Sequence, residues 1–191
     1  HRIAEALAVS HAGSLDQIGA ELAAHYDAAG QVERAIHFYA QACEVAESLY
    51  ALDDALRWTQ RALILLEQQP LGELRDRNEL RFLLALARIY RITRGWADHE
   101  LEAVLERAQS LCVAVGDSVQ RSQVLYGLQS VYVVQARHDD VLKLTEQSAQ
   151  LAHKPSAIEP PSLALVHPSI SQLHVGAFRT ALERFDRIAQ V

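Results

Sequence analysis

A chain of 191 residues can bury about 70% of the surface its unfolded form exposes, which suits one sizeable domain. Its net charge of -6 opposes nonspecific affinity for nucleic acid or anionic lipid, because phosphate contacts need a surplus of Lys and Arg. No apolar run approaches the ~20 residues that span a bilayer, so neither a membrane nor nucleic acid is an expected direct partner.

Half of the residues are hydrophobic, Gly (8) and Pro (5) are sparse, and Ala, Leu, Glu, Gln and Arg dominate, which predicts helix throughout. Cys43 and Cys112 are the only cysteines. They lie far apart inside apolar helical patterns and read as small core residues in a reducing, cytoplasmic setting. The chain lacks Met and opens on His1-Arg2-Ile3-Ala4 in an amphipathic pattern already under way, so it is expected to be a fragment of a longer protein.

In chain order, a short helix is predicted over residues 1–9, broken at Gly13-Ser14, with Ser14 or Asp16 as N-cap of the next. Residues 15–29 form that helix and Gly30 stops it. Residues 32–49 follow, with Ile36, Tyr39, Cys43 and Ala46 on one stripe, and then 52–67, with Ala55, Trp58, Ala62 and Leu65 in register. The middle helix of this group is expected to be shared between two packed neighbours. Gln68-Gln69-Pro70-Leu71-Gly72 is the first real interruption, and it marks possible sub-blocks 1–69 and 73–191 within a single domain, 1–191.

A long helix over 73–93 carries Phe82, Leu83, Leu86, Ile89 and Tyr90 on its apolar side. At about 100° per residue, Arg77, Arg81, Arg88 and Arg91 fall on the opposite side as a basic stripe. After Arg94-Gly95-Trp96 come helices over 99–115, 118–136 and 139–153, with turns at Gly116-Asp117 and Arg137-His138. The longest loop, 154–161, precedes a last pair over 162–175 and 177–189. Pro168 falls inside the first of these, where it removes a hydrogen bond to Ala164 at a cost of about 3 kcal/mol in a straight helix, so a kink or a late helix start is expected. Asp53-Asp54 and Asp139-Asp140 open helices, where negative charge suits the N-terminal dipole.

A spaced signature runs through these elements. It comprises Leu22, Tyr26, Gly30, Ala35 and Tyr39, then Leu86, Tyr90 and Gly95, then Leu128, Tyr132, Ala136 and Val141, and finally Gly176, Ala181 and Phe185. An apolar-small-aromatic helix, a tight turn and a second helix with a small residue cannot bury their apolar faces alone, so such units stack. The expected fold is all-α, a right-handed superhelix of antiparallel helix pairs, an α-solenoid. Tyr90 to Tyr132 spans 42 residues and Tyr132 to Gln172 spans 40, longer than the unit of about 34 in the tetratricopeptide (TPR) repeat.

With the repeats laid out, the chain resembles the TPR-like region of large bacterial signalling ATPases, which join adenylate cyclase, kinase or transcription-regulator modules to a nucleotide-switched core. The likeness rests on His1-Arg2-Ile3-Ala4-Glu5-Ala6-Leu7 leading to Glu21-Leu22-Ala23-Ala24-His25-Tyr26-Asp27-Ala28-Ala29-Gly30. It continues through Arg94-Gly95-Trp96, Arg107-Ala108-Gln109-Ser110-Leu111-Cys112, Gly116-Asp117 and Leu125-Tyr126-Gly127-Leu128. Gln172, Thr145 and Pro168 depart from the repeat pattern, standing where aromatic or Leu residues are usual. The resemblance implies a sensor and scaffold arm, non-enzymatic, that binds a protein or peptide partner or other domains of its own parent. A maltotriose-responsive transcription activator carries a comparable region, which implies the alternative of a metabolite sensor.

Carrying the repeat pattern over places Arg81, Arg88 and Arg91 on the inner, first-helix face of one unit. It places Gln123, Tyr126 and Ser130 on that face of the next, and Ile170 and His174 on that of the last. Arg offers a planar fork of donors, so this face reads as a clamp for a carboxylate or phosphate, or else as a solvated face balanced by Glu73, Asp76 and Glu79. Nine histidines give no pair at zinc-binding spacing with a third ligand; His167 and His174, seven apart, flank Pro168. No metal or cofactor is expected, and no phosphate loop or nucleophile elbow is present. Trp96, after the Gly95 turn, is a candidate contact anchor, and Leu182, Phe185 and Ile188 form an uncovered stripe suited to self-association.

Overall fold

A computed structural model of the protein describes residues 15–151 and 161–189. The helix expected over 1–9, its break at Gly13-Ser14 and most of the 154–161 loop lie outside the described residues. The described residues form nine helices and no strand: α1 (Leu15–Ala28), α2 (Val32–Ser48), α3 (Leu52–Glu67), α4 (Glu73–Thr93), α5 (His99–Ala114), α6 (Ser118–Val134), α7 (His138–Leu151), α8 (Pro161–His174) and α9 (Phe178–Ala189). The chain divides after Ile92 into two compact units, and the Pro70-Leu71-Gly72 connector lies inside the first.

One turn recurs. After α1, Gly30 N–H donates to the Asp27 carbonyl (2.9 Å) and Gln31 N–H to the Tyr26 carbonyl (2.9 Å). After α2, Tyr50 and Ala51 repeat these bonds to Glu47 and Ala46 (3.1 and 2.9 Å). Ala136 and Arg137 do so after α6 (3.1 and 2.8 Å), and Gly176 and Ala177 after α8 (3.2 and 2.8 Å). This is the Schellman pattern, in which one residue in left-handed conformation closes the helix and satisfies its last carbonyls. That residue has φ +69° at Gly30, +57° at Tyr50, +58° at Ala136 and +81° at Gly176, and Gly95 takes +84° after α4. The next helix begins at once, which makes the two helices antiparallel neighbours.

In the first unit, α2 packs against both α1 and α3, as its shared position in the sequence suggests. The signature residues Leu22, Tyr26, Ala35 and Tyr39 form one core with Ala62, Leu66 and Phe82. Cys43, Ala46, Ala55, Ala85 and Ile89 form another, and half-buried Trp58 packs against both. Ala35, Ala55 and Ala62 are fully buried, so small side chains set the close helix spacing. Where α1, α2 and α3 meet, Arg61 forks onto the Asp27 carboxylate at 2.6 and 2.8 Å while Tyr39 OH donates to it at 3.2 Å. The Arg61 hydrogen bond, outweighing desolvation, holds the Asp27 carboxyl below its ordinary range.

In the second unit, α6 packs on α5, α7 and α8, and α8 also contacts α7 and α9. Leu128, Val131, Val141 and Ala181 are buried within it. Gly127 faces Leu105 so closely that a Cβ there would stand 2.9 Å from a Leu105 methyl, which lets α5 and α6 approach. Asp98 caps α5 by accepting from Leu101 N–H (2.9 Å), and Asp117 and Gln120 form a reciprocal capping box on α6. Arg121 donates to the Cys112 and Val113 carbonyls at the end of α5 (2.8 and 3.2 Å). α8 begins at Pro161 and runs through buried Pro168, so the late start does not occur. Pro161 stands at the first helical position, where a missing N–H costs nothing.

Candidate functional site

The basic stripe of α4 is present on the surface of the first unit, and two of its members have partners that the sequence alone did not suggest. Arg81 donates to Glu44 of α2 at 2.6 Å, and Arg88 forks onto Glu47 at 2.8 and 3.1 Å. Arg77 pairs with Glu73 one turn earlier, at 2.6 and 3.0 Å. Arg91 is exposed. The Arg81 and Arg88 pairs tie α4 to α2 across the surface. Their arginine side chains are 45% and 48% exposed, so each pair contributes at most about 1 kcal/mol and can exchange with solvent or another anion.

In the second unit the polar residues of α6 and α8 gather into two small clusters. In the first, the Tyr126 ring lies 4.9 Å from His167 and meets Trp96 edge-on at 6.4 Å. Ser130 is buried, donates its hydroxyl to the Tyr126 carbonyl (2.9 Å) and approaches His167 Nε2 (3.4 Å). With that hydroxyl proton on the carbonyl, Nε2–H is the donor toward Ser130 and Nδ1 keeps its lone pair. Nδ1 is buried without a hydrogen-bond partner, and burial pushes the His167 pKa below the ordinary imidazole value. His167 is therefore neutral at pH 7.

The second cluster holds His174. Its ring stacks on His138 with centroids 4.3 Å apart, its Nδ1 donates to the Ile170 carbonyl (2.9 Å), and His138 Nδ1 meets Ser171 at 3.3 Å. Of the residues expected to share a face, Tyr126 and Ser130 are thus brought together, joined by His167, while the ring contact of His174 is His138. Gln123 is exposed on α6. The histidine pair considered for metal is split between these clusters, and no group of three His, Cys, Asp or Glu able to hold a metal occurs among the described residues.

Departures from the repeat pattern leave their mark here. Gln172 is buried with Oε1 unpartnered, whereas Thr145 bonds back to the Val141 carbonyl at 2.8 Å. Cys43 and Cys112 are buried, and desolvation pushes both thiols up to about 11. On α9, Phe178 and Leu182 are exposed and Phe185 is half-buried, while Ala181 is buried. Among the described residues no helix is long and apolar enough to cross a membrane.

Neither a protein-family description nor a curated protein matches the chain. Among solved structures, it is similar to the Q17M form of a Podosopora anserina protein described as a kinesin light chain with nearly identical TPR-like repeats. That likeness has 19% identity and a TM-score of 0.53 over 92% of this chain and 94% of the other. The form without Q17M gives 18% identity and a TM-score of 0.49 over the same shares. At 19% identity, the first likeness defines the fold: an all-α, TPR-like array of helix pairs.

Proposed function

We propose that the chain is a non-enzymatic protein–protein interaction scaffold, the regulatory arm of a multidomain bacterial signalling protein. The observation that carries this reading is that alternate helices stand side by side: α6 packs directly on α8, and α4 is tied to α2 through Arg81 and Arg88. Gln123 and His174 are exposed and Tyr126 is half-buried in the second unit, and the exchangeable arginine pairs lie on the surface of the first; these are the groups offered for binding. Repeat arrays use such faces for extended binding surfaces. Burial of Cys43 and Cys112, with both thiols pushed up to about 11, supports a role without thiol chemistry. The resemblance to the signalling ATPases supports other domains of the parent as the partner.

Calorimetry of the chain against those domains tests this, using wild type and an Arg81, Arg88, Arg91 to Ala triple variant. Saturable binding that the triple variant weakens is the expected result. Heat from neither protein, together with a metabolite that stabilises the chain by about 2.7 kcal/mol at 100 times its Kd, would replace the scaffold with a sensor. A second contact proposed for the chain is self-association through the α9 stripe of Leu182, Phe185 and Ile188, of which exposed Leu182 and half-buried Phe185 are among the described side chains; light scattering that reports a monomer at high concentration removes it.

A further inference from the structure

Two histidines of the second unit meet across helices. His138 opens α7 and His174 lies in the last turn of α8, so zinc spacing along a single helix gives no hint of the pair. Their rings stack with centroids 4.3 Å apart and planes 18° from parallel. His174 is exposed and His138 half-buried, which leaves the pair open to an ion from solvent. Each ring uses its Nδ1 on α8: His174 Nδ1–H donates to the Ile170 carbonyl at 2.9 Å, and His138 Nδ1 lies 3.3 Å from the hydroxyl of buried Ser171. The bond to a carbonyl fixes the His174 tautomer and leaves its Nε2 with a lone pair. Metal-ligating imidazoles are held in this way, one ring nitrogen tethered to the protein and the other free for the ion.

We propose that His138 and His174 form a two-imidazole site for a divalent transition-metal ion of the zinc type, bound through both Nε2 atoms. In the bound form His138 keeps its proton on Nδ1, toward Ser171, and offers Nε2 as its neighbour does. Zn–N bonds of about 2.0–2.1 Å at a tetrahedral angle put two ligand nitrogens about 3.3 Å apart. Rings with centres 4.3 Å apart reach that separation by small side-chain rotations. Water fills the remaining positions, since no third His, Cys, Asp or Glu among the described residues joins the pair. Arg137, next to His138 in the chain, has its charge matched by Glu102 and Asp140, which limits its repulsion of a cation. Nitrogen donors favour Zn2+ over Mg2+, which takes oxygen ligands. The bound ion would tie the start of α7 to the end of α8, helices that already pack on each other.

The test is an NMR titration of the full chain with Zn2+, following the imidazole nitrogen signals of all its histidines. His138 and His174 are assigned by the signals lost in His138→Gln and His174→Gln. Zn2+ should shift the Nε2 signals of both rings together, saturably and before those of the other histidines, and Mg2+ should leave them in place. Either single variant should weaken Zn2+ binding at the remaining ring by at least about tenfold, because one of two linked ligands is gone. His174 is exposed, so His174→Gln keeps the fold, which helical circular dichroism verifies, and the wild-type titration stands without any variant. A shift of one ring without the other, earlier shifts at the other histidines, an equal response to Mg2+, or unchanged affinity in His174→Gln would overturn the proposal.

Discussion

Gly30→Ala isolates the turn on which the repeat depends. Gly30 has φ +69° and nothing within 4 Å of where a Cβ would stand, so alanine adds no clash and only the conformational term changes. Holding an L-residue in the left-handed region costs about 1–2 kcal/mol, and the stiffer unfolded chain returns about 0.4–1 kcal/mol. The net loss is about 1 kcal/mol, which for a unit of this size lowers the midpoint by about 4–8 °C. Ala136→Gly, at φ +58° in the same turn of the second unit, should gain about as much, and Tyr50→Gly, at φ +57°, likewise. The two tryptophans separate the units, since Trp58 lies in the first and Trp96 in the second. Urea unfolding followed by fluorescence in Trp96→Phe and Trp58→Phe backgrounds reads each unit alone. Equal stability of Gly30→Ala and wild type, or a loss of about 1 kcal/mol in Ala136→Gly as for glycine in a helix interior, would refute the reasoning.

Phe82 is 1% exposed at the junction of α2, α3 and α4, so Phe82→Ala should cost about 3–5 kcal/mol in the urea midpoint of the first unit. Asp27 has a folded pKa below its unfolded value of about 3.9, so its contribution is present above that value and lost as pH falls through the folded pKa. Asp27→Asn should cost up to about 1 kcal/mol at neutral pH and flatten the acid limb of stability against pH; an unchanged slope between pH 5 and pH 2 (about the range spanned by such a shift) would contradict this. With both thiols pushed up to about 11, Cys43 and Cys112 should resist iodoacetamide in the native chain and both label after unfolding, as mass spectrometry can count.

The helices were legible because their signals are local. Pro70 and Gly72 bound α3 and α4 at the residues where the structure ends and begins them, and Gly30 announces the stop of α1. The matching turn at Ala136 is marked by its place in the repeat signature, whereas the one at Tyr50 carries no such signal, because tertiary context rather than residue type holds it at positive φ. Pro168 was legible as a disturbance, yet the helix runs through it, and packing in the buried centre of the pair outweighs one missing hydrogen bond. The arginine stripe was legible from periodicity alone. Its partners Glu44 and Glu47 were not, since they lie 37 and 41 residues away in sequence and only the packing of α4 beside α2 brings them near. The same holds for His167 beside Tyr126 and His138 beside His174, pairings made across helices.

The most direct test of the interaction account is site-specific photo-cross-linking of the chain mixed with the partner domains proposed for it. A photoreactive residue is placed at Gln123 or Arg81 on the side-by-side helix faces, or at Arg57 or Lys143, whose side chains are 70% and 72% exposed on α3 and α7. The account predicts a discrete protein adduct from Gln123 and Arg81, and little from Arg57 and Lys143. Equal labelling from all four positions, or none from the first two, would contradict it.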